Sequence, residues 1–178
     1  MIKVGVTGSN GFVGYHLCQT LKLHKQEFSL IDFDRSFFDN PQRLDSFVSS
    51  CDVIVHLAAL NRHDDPELIY KVNTSLVKNL VTSLQRTKSV PHVIISSSTQ
   101  EERDNLYGKS KKESRLLLSE WSNQSGARIS GLIIPNVFGP FGKPNYNSVI
   151  STFCHQISRG KTPEIDVDVN LNLDVDVD

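Results

Sequence analysis

The chain has 178 residues, 38% of them hydrophobic and 22% charged, with a formal net charge of -1. That profile fits one soluble globular domain large enough to bury a core, and it offers neither a basic face for nucleic acid nor a polybasic patch for a membrane. Its longest apolar runs, such as "VIVHLAAL" at 53–60, are too short to span a bilayer. With no leader-like segment after Met1, the expectation is a cytoplasmic protein.

In chain order, "IKVGVTG" reads as a strand, 12–25 as a helix, "FSLIDF" as a strand and 41–50 as a short helix. Then follow "DVIVHLA" as a strand, 66–87 as a helix, "HVIISSS" as a strand, 107–125 as a helix and "RISGLIIP" as a strand. Uninterrupted apolar strands alternating with helices predict a parallel sheet covered on both faces. The fold class is therefore α/β, a Rossmann-like doubly wound sheet over residues 1–160, whose ligands bind beyond the carboxyl ends of the strands. The tail at 161–178 alternates Val or Leu with Asp or Asn, and is expected to be an irregular remnant of a longer substrate-binding region. Cys18, Cys51 and Cys154 are widely spaced and odd in number, which predicts reduced thiols. The six histidines are scattered, and no metal site is expected.

Two stretches carry chemistry. In "VTGSNGFVG", Gly8, Gly11 and Gly14 fall between the first strand and the first helix. Gly8 suits a tight turn, Gly11 the approach of a pyrophosphate and Gly14 close packing of helix on sheet, with the helix N-terminus turned to the phosphates. The second strand runs into "IDFDR". A carboxylate there, Asp32 or Asp34, would bind the adenosine ribose of NAD, whereas Arg35 would pair with the extra phosphate of NADP. Arg35, just past the strand end, tilts the expectation toward NADP(H) over NAD(H), and the alternative for Asp34 and Arg35 is a surface ion pair. In "DNLYGKSKKES", Tyr107 and Lys111 stand four apart, one turn up the same helix face, where an ammonium would lower the phenol's pKa. The serines of "IISSS" end the preceding strand, at the ligand-binding edge.

The ordered set "TGSNGFVG", "HLAA", "IISSS" and "YGKSK" resembles the extended short-chain dehydrogenase/reductase superfamily, which includes NAD-dependent sugar-nucleotide epimerases, dehydratases and reductases. The resemblance implies that Tyr107 donates or accepts the substrate proton. It gives Ser98 the reacting oxygen and has Lys111 hold the nicotinamide ribose. By the same likeness Asn10, Phe12, Val13 and Pro135 join the glycines as cofactor contacts, and Leu57, Ala58 and Ala59 flank the adenosine and ribose. Asn73 supports the active-site loops, and Asn136 sits where relatives bind the sugar-nucleotide diphosphate. Dimerisation through the helices 66–87 and 107–125 is likewise a family expectation, giving a homodimer.

The compact "SSSTQEERDNLYGKSK", with "HLAALNR" and "KPNYNSVISTFCHQI", is similar to bacterial capsule and O-antigen reductases acting on a UDP-4-keto-6-deoxy-N-acetylhexosamine. That likeness gives Asn145, Tyr146 and Asn147 to the sugar or uridine pocket. In two respects the chain departs from the subgroup: Ile133 stands where it has an arginine, and its members continue past residue 178 into further elements. The leading expectation is a reductase of a nucleotide sugar. The alternatives are an epimerase or dehydratase with the same Ser, Tyr and Lys, and a non-catalytic dinucleotide-binding module. Glu101 and Glu102 follow Ser98 closely enough to serve a dehydratase, but are expected to be solvated charges at a helix start.

Overall fold

The computed structural model describes residues 1–163, and the alternating tail from residue 164 onward lies outside them. Five strands, β1 (Ile2–Thr7), β2 (Phe28–Ile31), β3 (Val53–His56), β4 (His92–Ser98) and β5 (Ile129–Ile134), form one sheet in the order β2-β1-β3-β4-β5. β1 pairs with β2 and with β3, and β3 with β4, all in parallel. Between them run α1 (Phe12–Leu23), α2 (Pro41–Ser50), α3 (Pro66–Thr87) and α4 (Leu106–Ser125), and α5 (Val149–Ile157) follows β5. Short 3-10 turns at Arg35–Asp39 and Thr99–Glu102 lead into α2 and α4. The chain divides into two compact units, residues 1–133 and 134–178.

Why the sheet has helices on both faces follows from its order. The chain steps from β1 to β2 in one direction and from β3 through β4 to β5 in the other. Right-handed crossovers then put α1 on one face and α2, α3 and α4 on the opposite face. The buried residues divide the same way. Ile54, Val93 and Ile95 meet Phe47, Val48, Val77, Leu80, Leu84, Leu118 and Trp121 in the larger cluster. Val4, Val6 and Val55 pack with Cys18, Leu17 and Leu21 of α1 in the smaller one. The direction reverses between β1 and β3, and a sheet of this kind opens its ligand crevice at that switch point.

Each helix except α1 starts on a side-chain cap: Asn40 for α2, Asp65 for α3, Asn105 for α4 and Ser148 for α5. α1 starts at Gly11 with no side-chain cap and no acid in its first turn. β2 ends at Ile31, two residues short of the strand read from "FSLIDF". Asp34 accounts for the early stop, because its carboxylate caps the 3-10 turn by accepting from the Ser36 N–H at 2.9 Å. α5 is a helix that the alternation of strands and helices did not announce.

Among the described residues no helix is long and apolar enough to cross a membrane. All three cysteines are free. Cys51 donates its thiol to the Phe47 carbonyl at 3.2 Å. Burial pushes that thiol up to about 12, and burial also raises Cys18; Cys154 is exposed.

Leu80 is fully buried in the larger cluster, so Leu80→Ala is expected to lower unfolding stability by about 2–5 kcal/mol through lost transfer energy and a cavity. Leu116, on the exposed side of α4, makes the contrast, since Leu116→Ala should stay within about 0.5 kcal/mol. Urea denaturation of the two variants checks both.

Candidate active site

The carboxyl ends of β1, β3 and β4 bring most of the sequence-read residues of the first unit together. Gly8 turns the chain off β1 with φ +77, and a Cβ there would lie 2.7 Å from the backbone nitrogen of Ala58. The turn is thus pressed against the loop after β3 at the switch point, and only glycine fits. Gly14 is as constrained: its Cβ would meet the Gly8 carbonyl at 2.2 Å. Gly11, by contrast, is exposed, and a Cβ there would meet one atom, the Gly8 carbonyl oxygen at 3.2 Å, so the start of α1 carries no side-chain cap. Asn10 and Val13 beside it are exposed and Phe12 is part-buried. Unpaired helix N–H groups behind a glycine turn form a cradle suited to a phosphate. The chain thus fits a dinucleotide here.

The loop after β3 is pinned from two sides. Leu57 N–H donates to the Thr7 carbonyl at 3.0 Å and Ala58 N–H to the Thr7 hydroxyl at 3.4 Å. Further along, the Asn73 amide of α3 reads both backbone groups of Leu60, accepting at 2.7 Å and donating at 3.2 Å. Asn73 also donates to the Ser110 hydroxyl at 3.0 Å, and that hydroxyl donates to the Tyr107 carbonyl at 2.7 Å. One buried amide therefore ties Leu57, Ala58 and Ala59, through Leu60, to the first turn of α4.

The first turn of α4 lies against the 3-10 turn that follows β4. Gly108 permits it, since a Cβ there would fall 2.0 Å from the Gln100 carbonyl. Ser98 ends β4, and its hydroxyl accepts from the Gln100 N–H at 3.2 Å. Burial raises the Tyr107 phenol, and a hydrogen bond with Ser98 partly offsets that rise. The Tyr–Lys spacing alone predicts the opposite direction; desolvation decides it. Lys111 is 7% exposed and donates to the Ser96 hydroxyl at 3.4 Å. Burial lowers its ammonium from 10.5 to about 8, against a favourable charge from Glu101.

Several members of this cluster had no signature in the sequence. His56, the last residue of β3, bonds Thr7 through Nδ1 at 2.9 Å. Burial first, and the charge of Lys111 second, hold it neutral by lowering its pKa to about 3. Glu101 corrects an expectation: its side chain is buried and salt-bridged to Arg115 at 2.7 Å, whereas Glu102 is exposed and 3.7 Å from Lys112. Arg115, four residues beyond Lys111, was the available signal.

Asp32, Asp34 and Arg35 are all exposed beyond β2. Asp34 is held by the Ser36 N–H and hydroxyl, not by Arg35 as a surface pair. The second unit carries Pro135, Asn136, Asn145, Tyr146 and Asn147. In it Asn145 adopts a left-handed φ of 54 and donates its N–H to the Thr152 hydroxyl at 2.9 Å. Lys143 stands over the Tyr146 ring at 5.3 Å. Among the described residues no group of three His, Cys, Asp or Glu side chains could hold a metal ion.

A model of the NAD dependent epimerase/dehydratase family matches residues 4–173. The chain belongs to that family. It is 36% identical over 158 residues to a UDP-2-acetamido-2,6-beta-L-arabino-hexul-4-ose reductase of Pseudomonas aeruginosa, covering 89% of this chain and 42% of that one. It is 29% identical to an Escherichia coli N-acetyl-alpha-D-glucosaminyl-diphospho-ditrans,octacis-undecaprenol 4-epimerase, covering 89% of this chain and 55% of the relative. Among solved structures it resembles the capsular polysaccharide assembling protein CapF of Staphylococcus aureus at a TM-score of 0.73 and 32% identity, over 94% of this chain and 43% of that one. RMD from Pseudomonas aeruginosa, solved with NADPH, matches at a TM-score of 0.77 and 24% identity over 90% of this chain and 61% of its own; at that identity the likeness speaks for the fold. The chain therefore spans about half the length of the relatives it matches.

The shift at Lys111 has a testable sign. An unfolded chain keeps that proton up to about pH 10.5 and the folded one only to about 8. Between those values the unfolded state binds more protons, so stability from this group rises with pH across the window. Lys111→Met is expected to remove that rise and to raise the urea midpoint at pH 7, because it deletes a desolvated charge.

Proposed function

We propose that the chain is the dinucleotide-binding part of an NADP(H)-dependent reductase acting on a nucleotide-activated 4-keto-6-deoxy amino sugar, a UDP-sugar, in the synthesis of polysaccharide precursors. The observation that carries this is Tyr107: a part-buried phenol whose proton is held more tightly by burial, placed just after the β4 end that carries Ser98 and one turn from a buried lysine. A general acid must hold its proton until the transition state, and a neutral tyrosine suits the reducing direction, in which a carbonyl oxygen receives one. The 36% identity to a sugar-nucleotide reductase supports the same direction.

When bound, the dinucleotide supplies hydride chemistry; the rest falls to the chain. Gly8, Gly11 and Gly14, with Asn10, Phe12 and Val13 beside them, would hold the pyrophosphate at the bare start of α1. Leu57, Ala58 and Ala59 would line the adenosine side, kept in place by Asn73. Lys111 would hold the ribose, and its charge would favour the phenolate left after Tyr107 gives its proton to the substrate oxygen. Ser98 would orient that oxygen. Arg35 would pair with a 2′-phosphate, with Asp32 or Asp34 the ribose contact if the cofactor is NAD. Pro135 would meet the cofactor, Asn136 the diphosphate, and Asn145, Tyr146 and Asn147 the sugar or uridine.

A second reading is a sugar-nucleotide epimerase using NAD transiently, which the 29% identity to a 4-epimerase favours. Fluorescence titration with NADPH and NADH separates the two. The reductase reading expects NADPH to bind more tightly and Arg35→Ala to weaken it by about tenfold or more, the scale of one charge-assisted phosphate contact, with NADH little changed. NADH preference untouched by Arg35→Ala would favour the epimerase. Tyr107→Phe should keep dinucleotide affinity and lower turnover of a 4-keto sugar nucleotide by ~10²-fold or more.

A further inference from the structure

In the loop after β4 a buried carboxylate pairs with a partly exposed arginine of α4, an ion pair that the proposed chemistry does not use. Glu101 is 7% exposed and its carboxylate is fully engaged. Arg115 donates through Nη2 to Oε2 at 2.7 Å and through Nε to Oε1 at 3.0 Å. The Ser97 hydroxyl donates to the same Oε1. Taking the Glu101 charge out of water is unfavourable, and a pair with one partly exposed member is a weak source of net stability. Its effect lies in what it holds in place.

Three elements meet at this carboxylate: β4 through Ser97, the 3-10 turn through Glu101 itself, and α4 through Arg115. Ser98 lies between Ser97 and Glu101, so their hydrogen bond closes a short loop around it. Arg115 follows Lys111 by four residues and Tyr107 by eight, so all three lie along one face of α4. The face that presents the phenol and the ammonium therefore also grips the loop that carries the serine.

The groups facing Lys111 are few. β4 offers the Ser96 hydroxyl, β3 offers His56, held neutral, and its own helix offers Tyr107 one turn back. Glu101, from the 3-10 turn, is held by Ser97, the chain neighbour of the Ser96 that accepts from Lys111, and its charge favours the ammonium. We infer that Glu101 is a positioning residue for the Ser98–Tyr107–Lys111 site: clamped by Arg115, it fixes the Ser98 loop against α4 and acts as the counter-charge of Lys111. This rests on reading those three residues as the reacting site.

The experiment is a pH titration of the chain without cofactor, following lysine ¹³Cε resonances by NMR, with Lys111 assigned through Lys111→Arg. Glu101→Gln removes the negative charge and leaves Arg115 unpaired, so the Lys111 midpoint should fall by roughly one pH unit. Arg115→Gln frees the carboxylate of its partner, so the midpoint should rise. Opposite shifts support the counter-charge. A role in packing alone predicts similar thermal losses in both variants with the Lys111 midpoint unmoved, and that result overturns the inference. Should Glu101→Gln fail to fold, it is compared in the Arg115→Gln background, where that side chain is 29% exposed and water can replace it: a lower Lys111 midpoint in the double variant than in Arg115→Gln supports the inference, and equal midpoints overturn it. Where wild type reduces a 4-keto sugar nucleotide, Glu101→Gln should move the basic limb of its rate profile down with the Lys111 midpoint. A wild type that turns over no such substrate counts against the functional reading, while the Lys111 midpoint still judges Glu101.

Discussion

A lysine ammonium enclosed by the protein sets the terms for everything around it. Lys111 has almost no contact with water, and a bare charge in such a place would lose its proton. What surrounds it answers that pressure. A hydroxyl accepts from it, an acid lends it negative charge, and the one histidine nearby is held neutral. That arrangement has α4 sitting hard against the 3-10 turn after β4, which depends on Gly108 having no side chain. A single missing carbon thus brings the helix that carries the cation onto the turn that carries the acid.

The same economy of space operates at the other half of the crevice. Gly8 and Gly14 are pressed so tightly onto the backbone of the β3 loop and of Gly8 itself that the first turn has one available path. Along that path α1 begins without a capping side chain, whereas the other helices supply their own. Asn73 then joins the two halves, one amide spanning the loop after β3 and the first turn of α4. The loop after β3 and the first turn of α4 are thus parts of one hydrogen-bonded assembly.

Much of this was legible in the residues because it rests on local patterns. Apolar runs of four to seven residues gave the strands, the glycine spacing gave the turn, and Tyr107 with Lys111 gave one helix face. What was not legible depends on partners distant in sequence or on burial. Glu101 looks like a solvated helix-start charge until Arg115, fourteen residues later, is brought over it. The phenol of Tyr107 moves up, not down, because its enclosure outweighs its neighbours, and enclosure is a property of the fold. His56 ends an apolar strand with nothing to mark it, and its neutrality follows from its burial and from the charge of Lys111 on α4. α5 was overlooked for a different reason: "NYNS" draws the eye as a turn, although Ser148 is also the cap of a nine-residue helix.

The cysteines have a practical consequence. Thiol reagents attack the thiolate, and burial suppresses it at Cys51 and Cys18. Cys154, on α5 in the second unit, is open to solvent. A maleimide dye at neutral pH would therefore mark one position without any engineering of the sequence.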